Sequence, residues 1–253
     1  MPSLLLLFLA GLLGGVLNAV AGGGSFVVFP ALLLSGLPPI AANATTAAGL
    51  LPASFMSAVA YRNDFSTDRL FVVLAAASAI GGVLGAAVLL GTTESTFELA
   101  LPLLLAFASL VFTFGGRAVA RLGKLAQGTG GLTVVFVVQV VIATYGGYFG
   151  GGMGILMLAT FAFVGLSDIH RMNGMKSSLA VLINGAAVLL FAFTHKIVLL
   201  PWLAVALGGM VGGYIGARTA RRIAAPTVRR FVIVYAWGMT AYFAWKTYGP
   251  RVI

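Results

Sequence analysis

"AGGGSFVVFP" at residues 21–30 and "FGGGMGILML" at residues 149–158 each set three consecutive glycines inside sequence that otherwise reads as membrane-embedded helix. A glycine in a helix interior costs about 1 kcal/mol relative to alanine. A peptide group left unpaired in hydrocarbon costs more still. Two interruptions of one kind, at that cost, predict a chain of two related halves whose breaks serve a purpose.

The sequence around the breaks is overwhelmingly apolar. Of the 253 residues 60% are hydrophobic and 8% charged, and the mean hydropathy is +1.09. A soluble domain of this size needs a polar shell that this composition does not supply. Nearly uncharged runs cover Leu4–Ala21, Ile40–Tyr61, Leu70–Leu90, Leu99–Phe114, Leu132–Phe149, Leu179–Phe193, Val198–Ala217 and Phe231–Trp245. Several reach the roughly 20 residues that cross a bilayer core. The formal charge of +10 sits in short stretches between these runs, as membrane topology requires, so the composition argues for a lipid bilayer partner and against nucleic acid. The absence of cysteine excludes disulfides, thiolate metal sites and cysteine nucleophiles. Neither a cofactor nor a metal is expected. Ala19-Val20-Ala21 resembles a signal-peptidase site, but no Lys or Arg precedes the apolar run, so residues 4–21 are read as a retained helix.

Three landmarks occur twice in the same order. Gly22–Gly24 recurs as Gly150–Gly152, "NATT" at 43–46 as "NGMK" at 173–176, and "GGVLGA" at 81–86 as "GGYIGA" at 212–217. The spacings agree: 21 against 23 residues (22 to 43, 150 to 173), then 38 against 39 (43 to 81, 173 to 212). The chain therefore divides into a transmembrane repeat at 1–116, a basic cytoplasmic linker at 117–128 and a second repeat at 129–253. Each repeat holds about five helical segments. The first two are separated by the glycine break, as half-helices or a re-entrant pair.

An odd number of segments turns the second repeat upside down. Arg117, Arg121 and Lys124, and later Arg218, Arg221, Arg222, Arg229 and Arg230, mark the linker and the last long loop as cytoplasmic. Loops 35–39 and 92–98 then fall outside and contain no Lys or Arg. His195-Lys196 is an external basic pair against the rule. Both termini are expected outside. The fold expected is an all-α polytopic membrane protein of two inverted-topology repeats.

Interrupted helices in inverted repeats are a common transporter plan, with the substrate between the copies. A helix that starts within the membrane leaves its first N–H groups unpaired and carries partial positive charge there. Helix starts at Ser25 and Met153 can thus receive an anion from two sides. The alternative is that the glycines only allow close packing, as they do in the small-xxx-small seams of Gly81, Gly82, Gly85 and Ala86 and of Gly212, Gly213, Gly216 and Ala217. Past each break runs a polar stripe: Asn43, Thr46 and Ser54, with Thr45 beside it, and Asn173, Lys176, Ser177 and Asn184. Lys176 is either a functional intramembrane cation or a snorkelling one. Asn18, Tyr145 and Tyr148, just before the breaks, are further candidate donors or else packing residues. The candidate substrate-binding set is therefore Asn18, Gly22, Gly23, Gly24, Ser25, Asn43, Thr45, Thr46, Tyr145, Tyr148, Gly150, Gly151, Gly152, Asn173, Lys176 and Ser177.

"GLLGGVLNAVAGGGSFVVFPALLLSGLPPIAANATT" and "VVIATYGGYFGGGMGILMLATFAFVGL" resemble the paired signatures of the TauE/SafE family of membrane permeases. The likeness covers essentially the whole chain. Pro30 fits the first signature, whereas the second copy has Leu158 there, so the halves are not equivalent. The resemblance implies export of sulfite or a short organosulfonate such as sulfoacetate across the bacterial cytoplasmic membrane. Its substrate partner would be a small organosulfur anion; homo-oligomerisation is left open.

The five acidic residues, Asp64, Asp68, Glu94, Glu98 and Asp168, are all expected in loops or at helix ends. No buried carboxylate relay is then available, and uniport driven by the membrane potential is the expected mode. Two rivals are an anion channel and a non-transporting assembly protein. A membrane enzyme using Lys176 with Ser177 or Ser178 is disfavoured, because adjacent residues on a helix do not face each other.

Overall fold

The computed structural model describes residues 4–125, 131–220 and 225–249. These are helical almost throughout. The first half contains α1 (Leu4–Ala21), α2 (Ser25–Leu34), α3 (Pro39–Ala60), α4 (Arg69–Leu90) and α5 (Glu94–Leu125). The second contains α6 (Leu132–Tyr148), α7 (Met153–Phe163), α8 (Ile169–Phe193), α9 (Leu199–Thr219) and α10 (Ala225–Tyr248). Five helices thus follow five in matching order, long–short–long–long–long. Among the described residues, Arg69–Leu90, Glu94–Gly115, Ile169–Phe193 and Leu199–Thr219 are long and apolar enough to cross a membrane. Phe193, Leu199 and Val234 are more than two-thirds exposed, which suits side chains that face lipid rather than water.

Local chemistry sets the boundaries. Asp68 and Asp168 cap α4 and α8 by accepting from the N–H groups of Phe71 (2.9 Å), and of His170 (2.8 Å) and Arg171 (3.4 Å). Pro39 occupies the first turn of α3, where a missing N–H costs nothing. α5 runs on to Leu125, through most of the basic stretch assigned to the linker. "RAVARLGKL" is rich in good helix formers, which explains the extension; residues 126–128 lie outside the described residues, as do Arg221 and Arg222.

The two halves interlock through their glycines. On α9, Gly208, Gly212 and Gly216 lie directly against the backbone of Phe8, Leu12 and Val16 of α1. On α4, Gly81 and Gly85 lie against Val140 and Thr144 of α6. In both seams the paired numbers rise together, so the helices run side by side in the same direction. Gly213 and Gly82 on the adjoining faces meet Ala53 of α3 and Ile183 of α8. The fourth helix of each half therefore packs between the first and third helices of the other. Exchanging the halves maps the principal pairings onto one another: α1·α9 onto α6·α4, α3·α9 onto α8·α4, and α2·α10 onto α7·α5.

Three polar contacts sort the loops by end. Arg171 pairs with Asp68 at 2.6 Å and joins loop 61–68 to the start of α8. At the other end the Ile40 N–H donates to Glu94 (3.0 Å) and the Val198 N–H to Thr45 Oγ1 (3.1 Å). All five acidic residues sit in loops or within the first two turns of helices.

Candidate functional site

The backbone breaks at both glycine triplets. Gly22, Gly150 and Gly152 have φ of +77°, +80° and +80°, a region that a side chain makes costly. The Gly22 N–H closes α1 on the carbonyls of Leu17 (3.0 Å) and Asn18 (3.1 Å), and that of Gly150 closes α6 on Tyr145 (3.2 Å). After each turn the chain doubles back: Gly24 lies against Gly14 and Val28 against the same residue of α1, while Gly146 of α6 faces Met153. Each pair of helices is a hairpin folded back at its glycines. Neither α2 nor α7 has a side-chain N-cap, so both helix starts present main-chain donors and the positive end of their dipoles.

The two hairpin tips meet. A Cβ on Gly22 would stand 3.1 Å from the Cα of Gly154, and one on Gly150 would stand 3.9 Å from Ser25 Oγ. Between the tips, α3 and α8 enclose a cavity of about 20 Å³ lined by Asn18, Ser25, Asn43, Thr46, Asn184 and Gly150, with Met153 and Leu50 among its apolar walls. That volume holds about one water. Asn18 Nδ2 donates to Ser54 Oγ (3.0 Å), Asn43 Nδ2 to the Tyr148 carbonyl (2.8 Å) and Thr46 Oγ1 to the Ala42 carbonyl (2.7 Å). No carboxylate lines the cavity.

Lys176 lies beside this cavity rather than on its wall. Buried at 3% exposure, it passes its stem over Gly154 and donates to Asn173 Oδ1 (2.9 Å) and to the carbonyls of Ala19 (3.3 Å) and Asn18 (3.4 Å). Its amine thus satisfies carbonyls at the C-terminal end of α1 that have no partner within the helix. Asn43 plays the matching part in the other half, capping the last carbonyl of α6.

The remaining candidates divide by what they touch. Gly23 faces Phe112 and Val232, Gly24 faces the Gly14 carbonyl, and Gly151 and Gly152 face Ala108 of α5. Thr45 holds the loop before α9. Tyr145 braces the turn, donating to the Gly151 carbonyl (2.6 Å) and stacking edge-on with Phe107. The Tyr148 ring packs on Phe97, and only its carbonyl serves the site. Ser177 is buried but off the cavity wall. The structure thus brings Asn18, Ser25, Asn43, Thr46 and Gly150 to one cavity, with Lys176 and Asn173 adjoining. Asn184 is legible as a stripe member and Met153 as a helix start; Gly146 and Gly147 carry no polar signal and line the cavity through folding alone.

Outside the membrane, Asp168 has its carboxyl held below the usual carboxylate range by the backbone N–H groups of His170 and Arg171.

A family model described as "Sulfite exporter TauE/SafE" matches residues 7–243. Among curated proteins, a probable membrane transporter protein ORF9 of Sinorhizobium sp is 26% identical over 231 residues, covering 90% of this chain and 87% of the relative. A probable membrane transporter protein of Haemophilus influenzae is 24% identical over 242 residues, covering 94% and 93%. The probable membrane transporter protein YfcA of Escherichia coli strain K12 is 21% identical over 253 residues, covering 98% and 91%. No solved structure matches the chain.

Proposed function

The chain belongs to the sulfite exporter TauE/SafE family and is a multi-pass membrane transporter, and from that premise we propose that it exports a small oxyanion, sulfite or a short organosulfonate such as sulfoacetate, across the cytoplasmic membrane. The carrying observation is the cavity between the two hairpin tips. It offers amide and hydroxyl groups and two uncapped helix starts, with Lys176 adding positive potential from one layer behind and no carboxylate opposing it. Such donors suit an oxyanion and disfavour a cation. Candidate ligands are Asn18, Ser25, Asn43, Thr46, Asn184 and the backbone of Gly22–Gly24 and Gly150–Gly152. No nucleophile–base pair is set up there, and the role is transport rather than catalysis.

Alternating access is the mode that the geometry favours over an open channel. A cavity of about 20 Å³ must widen to admit a sulfonate, and the glycine turns are the hinges that allow it. The parallel seams α1·α9 and α4·α6, with the loop contacts at each end, support repeats of inverted orientation. One hairpin then enters from each leaflet, and both termini lie outside. Export of an anion from an inside-negative cell gains about 2.3 kcal/mol per charge per 100 mV, so the membrane potential suffices as driving force.

Thermal-shift titration of the purified protein with sulfite, thiosulfate, sulfoacetate and taurine tests the site, since a ligand of the native state raises its melting point. Stabilisation by a sulfur oxyanion that Asn184→Leu abolishes is the expected result; no stabilisation by any of them would count against the reading. Counterflow in proteoliposomes tests the driving force. Transport should follow an imposed potential, and one that ignored voltage but tracked a pH gradient would overturn uniport.

A further inference from the structure

A second space with polar groups on its wall lies elsewhere. At the end of the bundle that carries loops 35–38 and 91–93, a cavity of about 320 Å³ opens between the first turns of α5 and the last turns of α10, with the end of α2 behind it. Glu98 and Lys246 both line it, together with the hydroxyls of Ser95 and Thr247. The two charges share one cavity without forming an ion pair with each other. The floor is apolar and buried, with Leu101 and Phe243 at 3% and 4% exposure.

The rim places this cavity at the membrane–water boundary. Tyr248 is exposed beside it, its hydroxyl donating to the carbonyl of the lining residue Leu99, and Tyr242 and Trp245 are further exposed aromatics on the same last turns of α10. Amphipathic aromatics of this kind concentrate at headgroup depth. Leu99 and Leu103 continue from the rim along α5 as exposed leucines, the surface against which an acyl chain lies.

We infer that this cavity binds the zwitterionic headgroup of an aminophospholipid, its phosphate on Lys246 and its primary ammonium on Glu98. A primary ammonium donates charge-assisted hydrogen bonds to a carboxylate. A quaternary choline has no N–H to donate, and a glycerol headgroup brings no cation, so the acid selects the amine. A free zwitterion would satisfy the two charges equally well but would leave the leucine track unused. The site is separate from the central cavity and does not depend on the substrate assigned there.

Native mass spectrometry of the full chain in detergent, with equimolar phosphatidylethanolamine, phosphatidylcholine and phosphatidylglycerol, tests this. Wild type should retain phosphatidylethanolamine over either competitor by roughly threefold or more. Glu98→Gln should lower that retention to the phosphatidylcholine level, and Lys246→Met should weaken all three lipids. Both variants should keep the lipid-free melting point, since both side chains are exposed. Equal retention of the three headgroups, or a preference untouched by Glu98→Gln, would overturn the assignment. So would soluble phosphoethanolamine raising the melting point as far as the lipid does, because the ligand would then be a free zwitterion.

Discussion

Lys176 shows how far a single residue can be read and where reading stops. Its place on an apolar helix left two readings, a functional inward cation or a lysine snorkelling to the headgroups, and the structure places its side chain inside the bundle at 3% exposure. Its partners, two carbonyls of α1 and the Asn173 amide oxygen, lie 157 and 158 residues away or one helical turn back, and only the fold brings them together. Lys176→Met should leave those buried acceptors without their donor. We expect a loss of about 1–3 kcal/mol in chemical or thermal unfolding, together with loss of counterflow. The tip glycines allow a sharper contrast. Gly22 has both a left-handed backbone and Gly154 packed on it, whereas Gly36 has φ +92° and open space around it. Gly36→Ala should cost only the backbone strain of about 1–2 kcal/mol. Gly22→Ala should cost more, read as a larger drop in melting point in the same detergent.

At the scale of elements, the hairpins α1–α2 and α6–α7 follow from their glycines, and helix ends follow from capping chemistry. The triplets and their spacing announced a break, but two continuations were open: half-helices in line, or a return to the same leaflet. Packing of α2 back onto Gly14 shows a folded-back hairpin rather than two half-helices in line. α5 lengthened past its expected end because local propensity, not hydropathy, governs residues beyond the bilayer. The cap of α8 carries a pH signature. Asp168 titrates below its unfolded range because two backbone N–H groups stabilise its charged form, so its contribution is present above the unfolded pKa and is lost as pH falls through the lower folded value. Asp168→Asn keeps an N-cap acceptor without the charge. The acid-side fall in melting point between about pH 5 and about pH 2 should therefore be shallower in the variant than in wild type.

Across the whole molecule, the fourth helix of each half sits between helices of the other, so the two halves interlock through their glycine seams. Asp68 and Arg171 join α4 to α8 at one end of the bundle. The chain has no cysteine, which makes Asp68→Cys with Arg171→Cys a clean pair for a reducible bifunctional crosslinker. Crosslinking should stop counterflow and reduction should restore it; unchanged transport in the crosslinked protein would mean that this end does not open. The helical, membrane-embedded class, the doubling, the breaks and the polar stripes could all be read from the chain alone, because they are properties of composition, of periodicity or of motifs recurring at matched spacing. Only the tertiary structure decided which stripe members face one cavity, that Lys176 closes a helix end beside it, and that the glycine seams join opposite halves. Those outcomes depend on the rotation and register of helices more than a hundred residues apart, which packing sets and no local pattern encodes.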